Sequence, residues 1–561
     1  MRLLFLPYNP VTDSHDIDET AEESPQQHAA RVYHRKAKSL KTPGLRGQRP
    51  SAGKGMKETV TRVVQASFPE SSSHGQMRSK PPIPDPSTVL GAGRLDPFNA
   101  YCLPDQPQMV HEMLDHAVSY QWSLFAADDR PGSLLAAKKS VMDTAIRSPL
   151  CFHTLVYTGA AHKAFHQSPT VDNSKSAVLR LKSKLEAIKS LREALQSQAS
   201  ALTDEVIFAM AMLAIVGYGE KVTAAEKREK RTMSAQQDGQ FYSSQEYEWR
   251  HMRAVVEIVK MKGGLHTIRL PGLAFALASF DIHTSIMFQR KPSFPLFMPS
   301  SSAISSWPTS HPGSLASQRC PNLATGFDFL ADLDLPPALK MLHVLHDMRD
   351  LIIAFDSYQR GDRREAPPIR MIIFARNLNQ HELLTLPDLS EELFSSSSSS
   401  VHPAKNPALV QTQRRALAAY ELCRLCAFVF QVTVLLPNLH DNVDVTIPYA
   451  ERVKRCLQHA TTPDLCLHPD QTYRPLLLWT AVMTAWSVKS TFLYDWFVEF
   501  LVQHVSAAES VKKEEVPWEM TTVKDMLARF LWLGSECEVP CAEIWHDVKA
   551  SLGRDEQCVF C

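Results

Sequence analysis

The sequence is short of several things, and each shortage narrows what it can be. Cysteine numbers only 11 of 561 residues, an odd count, and none precedes Cys102. A secreted disulfide scaffold is shorter and much denser in cysteine, so the pattern points to a reducing, intracellular setting. Glycine is scarce at 20 residues, which suits helices, because each interior glycine weakens one. Net charge is absent, with 60 basic against 60 acidic side chains, so the overall balance names no partner. Long hydrophobic runs are also missing. The N-terminal MRLLFLPYNP offers about five apolar residues, fewer than a signal-peptide core needs. Val206–Val216 and Phe428–Leu436 fall short of the roughly 18–20 residues that span a bilayer, so no membrane partner is expected.

Catalytic signatures are equally scarce. There is no G-x-S-x-G, no P-loop and no dinucleotide fingerprint. His111-Glu-Met-Leu-Asp-His116 imitates a zinc-protease helix, but that chemistry needs histidines four apart on one face, and five apart turns the second one away. His343, His346, Asp347 and Asp350 do share a helical face; a solvated polar flank is the plainer account, since no second ligand cluster accompanies them. Cys423 and Cys426 form a CxxC within ELCRLCAFVFQV, without the glycine or proline of a zinc knuckle, so core packing is expected. Cys558-Val-Phe-Cys561 has the outline of a prenylation signal with an unusual last residue. No metal and no cofactor is expected.

What is present is an uneven distribution of charge. Residues 1–30 carry six acids and the single base Arg2, whereas residues 31–80 carry twelve bases against Glu58 and Glu70. This leader is rich in Ser, Pro, Gly and Gln, and it has too few apolar residues to offset the entropy of ordering. Residues 1–95 therefore read as a disordered tail whose basic segment spans 28–80. Arg31, Arg35, Lys36, Lys38 and Lys41 cluster in HAARVYHRKAKSLK. Such a cluster serves nuclear import or releases counterions from nucleic-acid phosphates without reading sequence; a basic tail with no partner is the alternative.

From about residue 96 the apolar residues recur with helical spacing. Val110, Met113, Leu114, Ala117, Val118, Leu124 and Phe125 make one stripe; Leu181, Leu185, Ile188, Leu191, Leu195, Ala199 and Leu202 make another. Thr203 is placed to cap a helix over Val206–Val216, apolar nearly all round and so expected at the centre. Further helices are expected at 245–262, with Gly263-Gly264 as its stop, and at 273–289, 337–358, 410–436, 448–459, 474–504, 521–533 and 541–551. Ile369–Phe374 suits a strand or a buried helix equally. Pro and Ser content marks 290–335 and 395–407 as flexible insertions. The fold class expected is all-α: one multi-helix array over 96–551, then a C-terminal tail, 552–561. Trp479, Trp486, Trp496, Trp532 and Trp545 are expected to supply core.

Several segments together resemble the fungal-specific transcription factor domain, and more narrowly the fungal regulator-like proteins labelled "tachykinin family". They are HAARVYHRKAK near the N-terminus, Asp96-Pro-Phe-Asn-Ala-Tyr101, the Leu114-Asp-His116 helix, HMRAVVEIVKMKGGL followed by GLAFALASFDIHTSIMF and Phe294-Pro295, and finally PWEMTTVKDMLARFLWLGSECEVPCAEIW. The likeness spans most of 96–551. It implies an all-helical regulatory domain, a nuclear location and control of transcription without catalysis. Many members begin with a binuclear zinc cluster of six cysteines, and this chain departs from that pattern. The expectation is thus a nuclear regulator whose helical body binds a protein partner or small effector, with at most weak, non-specific DNA contact by the basic tail. Two alternatives stand beside it: a cytoplasmic helical scaffold, and an enzyme with a pocket around His343, His346 and Asp350.

Overall fold

In the computed structural model the described residues are 101–558, apart from 127–129, 167–173, 217–240, 243–244, 246, 297–303, 305–306, 312, 363, 396–406, 437–442, 463–472 and 512–518. The tail and its basic segment lie outside them. Among the described residues there are 18 α-helices and no strand. Ile369–Phe374 falls inside the helix Ile369–Thr385, which buries Ile372, Ile373 and Phe374.

Local chemistry explains where the helices begin and end. The Thr203 hydroxyl accepts from the Val206 amide at 3.4 Å and so caps Asp204–Ile215. Every residue of that helix from Val206 to Ile215 is buried, as its all-round apolarity requires. Trp249–Lys262 stops at Gly263, whose φ of 110° is open to glycine at little cost, and the Gly264 amide closes back on the Val259 carbonyl at 2.8 Å.

The helices enclose two hydrophobic cores. The first gathers buried residues from Val110 to Phe294, and the second those from Ile282 to Val548. The helix Leu273–Met287 belongs to both: Leu273 to Phe280 point into the first core, Ile282 and Ile286 into the second. Phe374 joins the first core from the far side, its ring 4.8 Å from that of Phe275. Arg370 donates to the Ala126 carbonyl at 2.8 Å, and the Tyr449 hydroxyl donates to the Ile286 carbonyl at 2.9 Å.

The second core is built around one long helix, Pro407–Phe430, continued by a wider turn over Gln431–Leu435. Residues 410–435 are long and apolar enough, by length and composition, to cross a membrane, which corrects the reading of 428–436 as too short. The apolar window of that stretch is wholly buried inside the fold. Of the five tryptophans, Trp479, Trp486, Trp532 and Trp545 are buried, and Trp496 is partly so beneath Lys454.

Three expectations meet a different outcome. The stretch 290–335 holds packed helical turns where composition pointed to a flexible insertion. Phe327 lies 5.3 Å from Trp479 and 5.0 Å from Phe530, ring to ring. The amides of Ala324 and Gly326 donate to the Phe530 and Arg529 carbonyls at 3.1 and 2.7 Å. Its few aromatic residues anchor a segment whose Pro and Ser dominate the count. The C-terminal tail is helical as far as Cys558, within Gly534–Cys558. Finally, the stripe at Leu181, Leu185 and Ile188 faces outward: the helix Ser174–Ala194 buries Ser183 and Ala187. Of the insertion at 395–407, residues 396–406 lie outside the described residues.

Close packing predicts opposite effects at two glycines. A Cβ on Gly159 would stand 2.4 Å from the Met113 carbonyl oxygen, on the neighbouring helix Gln108–His116, whereas one on Gly553 would meet nothing within 4 Å. Gly159→Ala should destabilise the fold by about 1–3 kcal/mol. Gly553→Ala should stabilise it by up to about 1 kcal/mol. Denaturant unfolding of both variants checks the pair; equal shifts of one sign would contradict this packing.

Candidate functional site

The chemistry-bearing residues singled out in the sequence do not converge. His111 is buried, its Nε2 3.1 Å from the Gln106 carbonyl. His116 Nε2 lies 2.7 Å from His162 Nδ1. His343 is exposed, His346 is 3.6 Å from Asp328, and Asp350 is held by Arg349 at 2.8 Å. Burial, then the neighbouring Glu382 and Asp350, push Asp347 up to about 6. Among the described residues no three His, Cys, Asp or Glu side chains gather to hold a metal ion. Cys423 and Cys426 are buried on the central helix, and desolvation pushes both thiols well up. Both pack as core residues whose burial disfavours the thiolate. Cys558 ends a helix, and Cys561 lies outside the described residues. So do Arg31, Arg35, Lys36, Lys38 and Lys41.

What the fold does bring together is polarity in the interior, in two places. The first is on the central helix. Glu421 is fully buried and pairs with Arg424 one turn on, at 2.8 Å. Its carboxylate also accepts from the Leu389 amide at 2.6 Å and from the Ser390 hydroxyl at 3.3 Å. Arg424 reaches Asp388 at 3.1 Å, and Arg452 of the helix Val443–Ala460 pairs with the other oxygen of Asp388. Arg452 then donates to Gln289, just beyond Leu273–Met287, at 2.9 Å. Desolvation alone would raise the Asp388 carboxyl, but Arg424, Ser390 and Arg452 outweigh it and hold it at about 2. The network ties residues 388–390 to two helices and to the end of a third.

The second place is the seam between the two cores. Arg376 is buried there on Ile369–Thr385, and donates to the Leu435 carbonyl at 3.3 Å and the Asn377 side chain at 3.1 Å. No carboxylate is among these partners. Desolvation pulls its guanidinium down to about 10. The C-terminal carbonyls of the long helix offset part of the charge, yet the Arg376 Nε has no partner. Burial, and beside it the Arg376 charge, push His283 down to about 4, so that imidazole is neutral. Its Nε2 is shut off from water without a partner, as is the hydroxyl of Tyr247, whose ring lies 5.6 Å from that of His283. Asn379 next door is fully engaged: it donates to the Val344 carbonyl at 2.7 Å and accepts from Gln431 at 2.9 Å. A buried cation beside unpartnered polar groups is an arrangement that negative charge would stabilise. It offers no paired acid and base for proton transfer.

Sequence reasoning missed both places. Glu421 and Arg424 stand three apart inside an apolar run, a spacing that pairs on a helix, and this was a signal available to it. Arg376 and His283 are 93 residues apart, and nothing local joins them.

Residues 131–319 match the family model of the fungal specific transcription factor domain. No curated protein and no solved structure matches the chain. The matched segment runs from the first core through Leu273–Met287 and includes Tyr247 and His283.

Three measurements probe these interiors. Arg424→Met should cost about 3–5 kcal/mol by stranding Glu421, and adding Glu421→Gln should recover much of that loss. The Asp388 carboxyl is depressed below its ordinary 3.8. Its contribution to stability is therefore present above about pH 4 and lost as pH falls toward 2. Asp388→Asn should flatten that part of the pH–stability curve. Arg376→Met, by contrast, replaces a charge without a carboxylate partner and should leave stability unchanged or raised. A loss of several kcal/mol on chemical unfolding would make Arg376 a structural cap on the long helix.

Proposed function

From the match of residues 131–319 to the fungal specific transcription factor domain, we propose that this protein is a nuclear transcriptional regulator that works by binding and not by turnover. The match carries the reading. The interior chemistry agrees with it: Arg376 and the Tyr247 hydroxyl at the seam have hydrogen-bond capacity to spare, and burial disfavours ionisation of the Cys423 and Cys426 thiols. In this reading the helical body engages a protein partner or a small effector, and the seam at Arg376 suits an effector carrying negative charge.

The basic segment supplies import. Arg31, Arg35, Lys36, Lys38 and Lys41 form a cationic cluster of the kind that import receptors and phosphates both recognise. Direct contact with DNA through them is weak, salt-dependent and blind to sequence. Replacing all five with alanine in the full-length tagged protein should shift it from nucleus to cytoplasm. The wild-type protein staying in the cytoplasm would favour the scaffold reading.

Control of transcription is tested separately. The full chain fused to a foreign DNA-binding module should change the output of a reporter carrying that module's site several-fold. Output equal to that of the module alone would remove the regulator reading.

A further inference from the structure

The helix Ser174–Ala194 packs along Pro149–His166 through one face, with Leu179 and Leu191 half-buried against the first core. The two residues it buries, Ser183 and Ala187, are small and stand four apart on one face. On the other side Val178, Leu181, Leu185 and Ile188 are 67, 50, 64 and 37% exposed. A lone exposed leucine is ordinary, but four branched apolar side chains in register are not. Their spacing of three, four and three residues is that of a helix-pairing seam. At 1.5 Å per residue the row is about 15 Å long, two to three turns of a partner helix.

Charge identifies the occupant. Lys175, Lys182 and Lys189 recur every seven residues beside the row and are exposed, as is Arg192 beyond its end. The helix carries six bases, with Arg180 and Lys184 added, against the two acids Glu186 and Glu193. Glu186 is spent on Lys189, 4.0 Å away. Two copies meeting along this row would place lysine against lysine, which opposes self-pairing. A helix with acidic flanks satisfies both the apolar row and the lysines.

We propose that the Val178–Ile188 face docks an acidic amphipathic helix of a partner protein, with apolar side chains in the row and Asp or Glu against Lys175, Lys182 and Lys189. This deepens the proposed function and rests on its reading of the body as a binding domain. It places the protein contact on the outer face of one helix, apart from the seam.

The probe is a labelled synthetic helix of about three heptads, with leucines spaced three and four apart and glutamates flanking them. A matched peptide carries lysines in place of the glutamates. Binding to the full-length protein is read by fluorescence anisotropy. The glutamate peptide should bind, more weakly at high salt, and the lysine peptide should not. Leu181→Ser/Leu185→Ser should weaken binding at least tenfold while leaving the unfolding temperature unchanged, since both side chains are exposed. Lys182→Glu/Lys189→Glu should weaken the glutamate peptide and admit the lysine one. Binding indifferent to peptide charge, binding untouched by the leucine pair, or no binding at all overturns the proposal. So does a concentration-dependent dimer of the full chain that the leucine pair abolishes, because the occupant is then a second copy. None of these readouts involves transcription, so a negative reporter assay and a negative peptide assay remain separate failures.

Discussion

The second core rests on a helix that is shut off from water from Ala416 onward. From Ala416 to Leu435 every residue is buried, so each polar group on that stretch must find its partner inside the protein. Glu421 and Arg424 meet the requirement by pairing with each other and by recruiting Asp388, Ser390 and Arg452. An apolar pair of similar volume would fill the same space at no electrostatic cost. The charged pair does something an apolar pair does not: it fixes which loop and which helix lie against this turn. Leu389 and Ser390 are held by the Glu421 carboxylate, and Arg452 brings Val443–Ala460 to the same point. Position along the central helix is thereby specified, where hydrophobic contact alone would tolerate sliding.

The same demand, met less completely, defines the seam. Asn379 accepts from Gln431 and donates to a main-chain carbonyl, whereas Arg376 Nε, His283 Nε2 and the Tyr247 hydroxyl have no partner. The two sites differ in what surrounds them. The Glu421 network lies among helices of one core. The seam lies where Leu273–Met287 leaves the first core and enters the second. Polar groups left unsatisfied at a junction cost stability, and a ligand that satisfies them returns it by favouring the arrangement in which both cores are seated.

Much of this was legible in the sequence, and the exceptions have a common cause. The positions of most helices, the Thr203 cap, the Gly263-Gly264 stop and the central place of Val206–Val216 all follow from interactions within a few residues. Such signals survive in one dimension. The stripe at Leu181, Leu185 and Ile188 is a helical face, as its spacing predicts, but that face lies outward. Periodicity says that apolar residues share a side of a helix; it does not say that anything in this chain covers that side. Residues 290–335 fail in the opposite direction. Composition counts their prolines and serines, while Trp307, Phe327 and Leu330, few but large, decide the packing. The Arg376–His283 seam had no local signal, since burial of an arginine is a property of the assembled fold.

The extent of the recognised domain has a structural consequence. The match ends at residue 319, yet that point is not a boundary of the fold. Ile282, Ile286, Ile304, Trp307 and Ala316 belong to the second core, alongside residues as distant as Val548. Glu365 binds the amides of Leu315 and Ala316 at 3.3 and 3.1 Å, which seats the last matched helix on the chain that follows. Arg370 and Phe374 reach back into the first core in return. Severing the chain at 319 would strip apolar surface from both sides and leave Arg370 without the Ala126 carbonyl. The recognisable segment is therefore one part of a larger folding unit. Leu273–Met287 carries the matched segment from the first core into the second, most of which lies beyond residue 319.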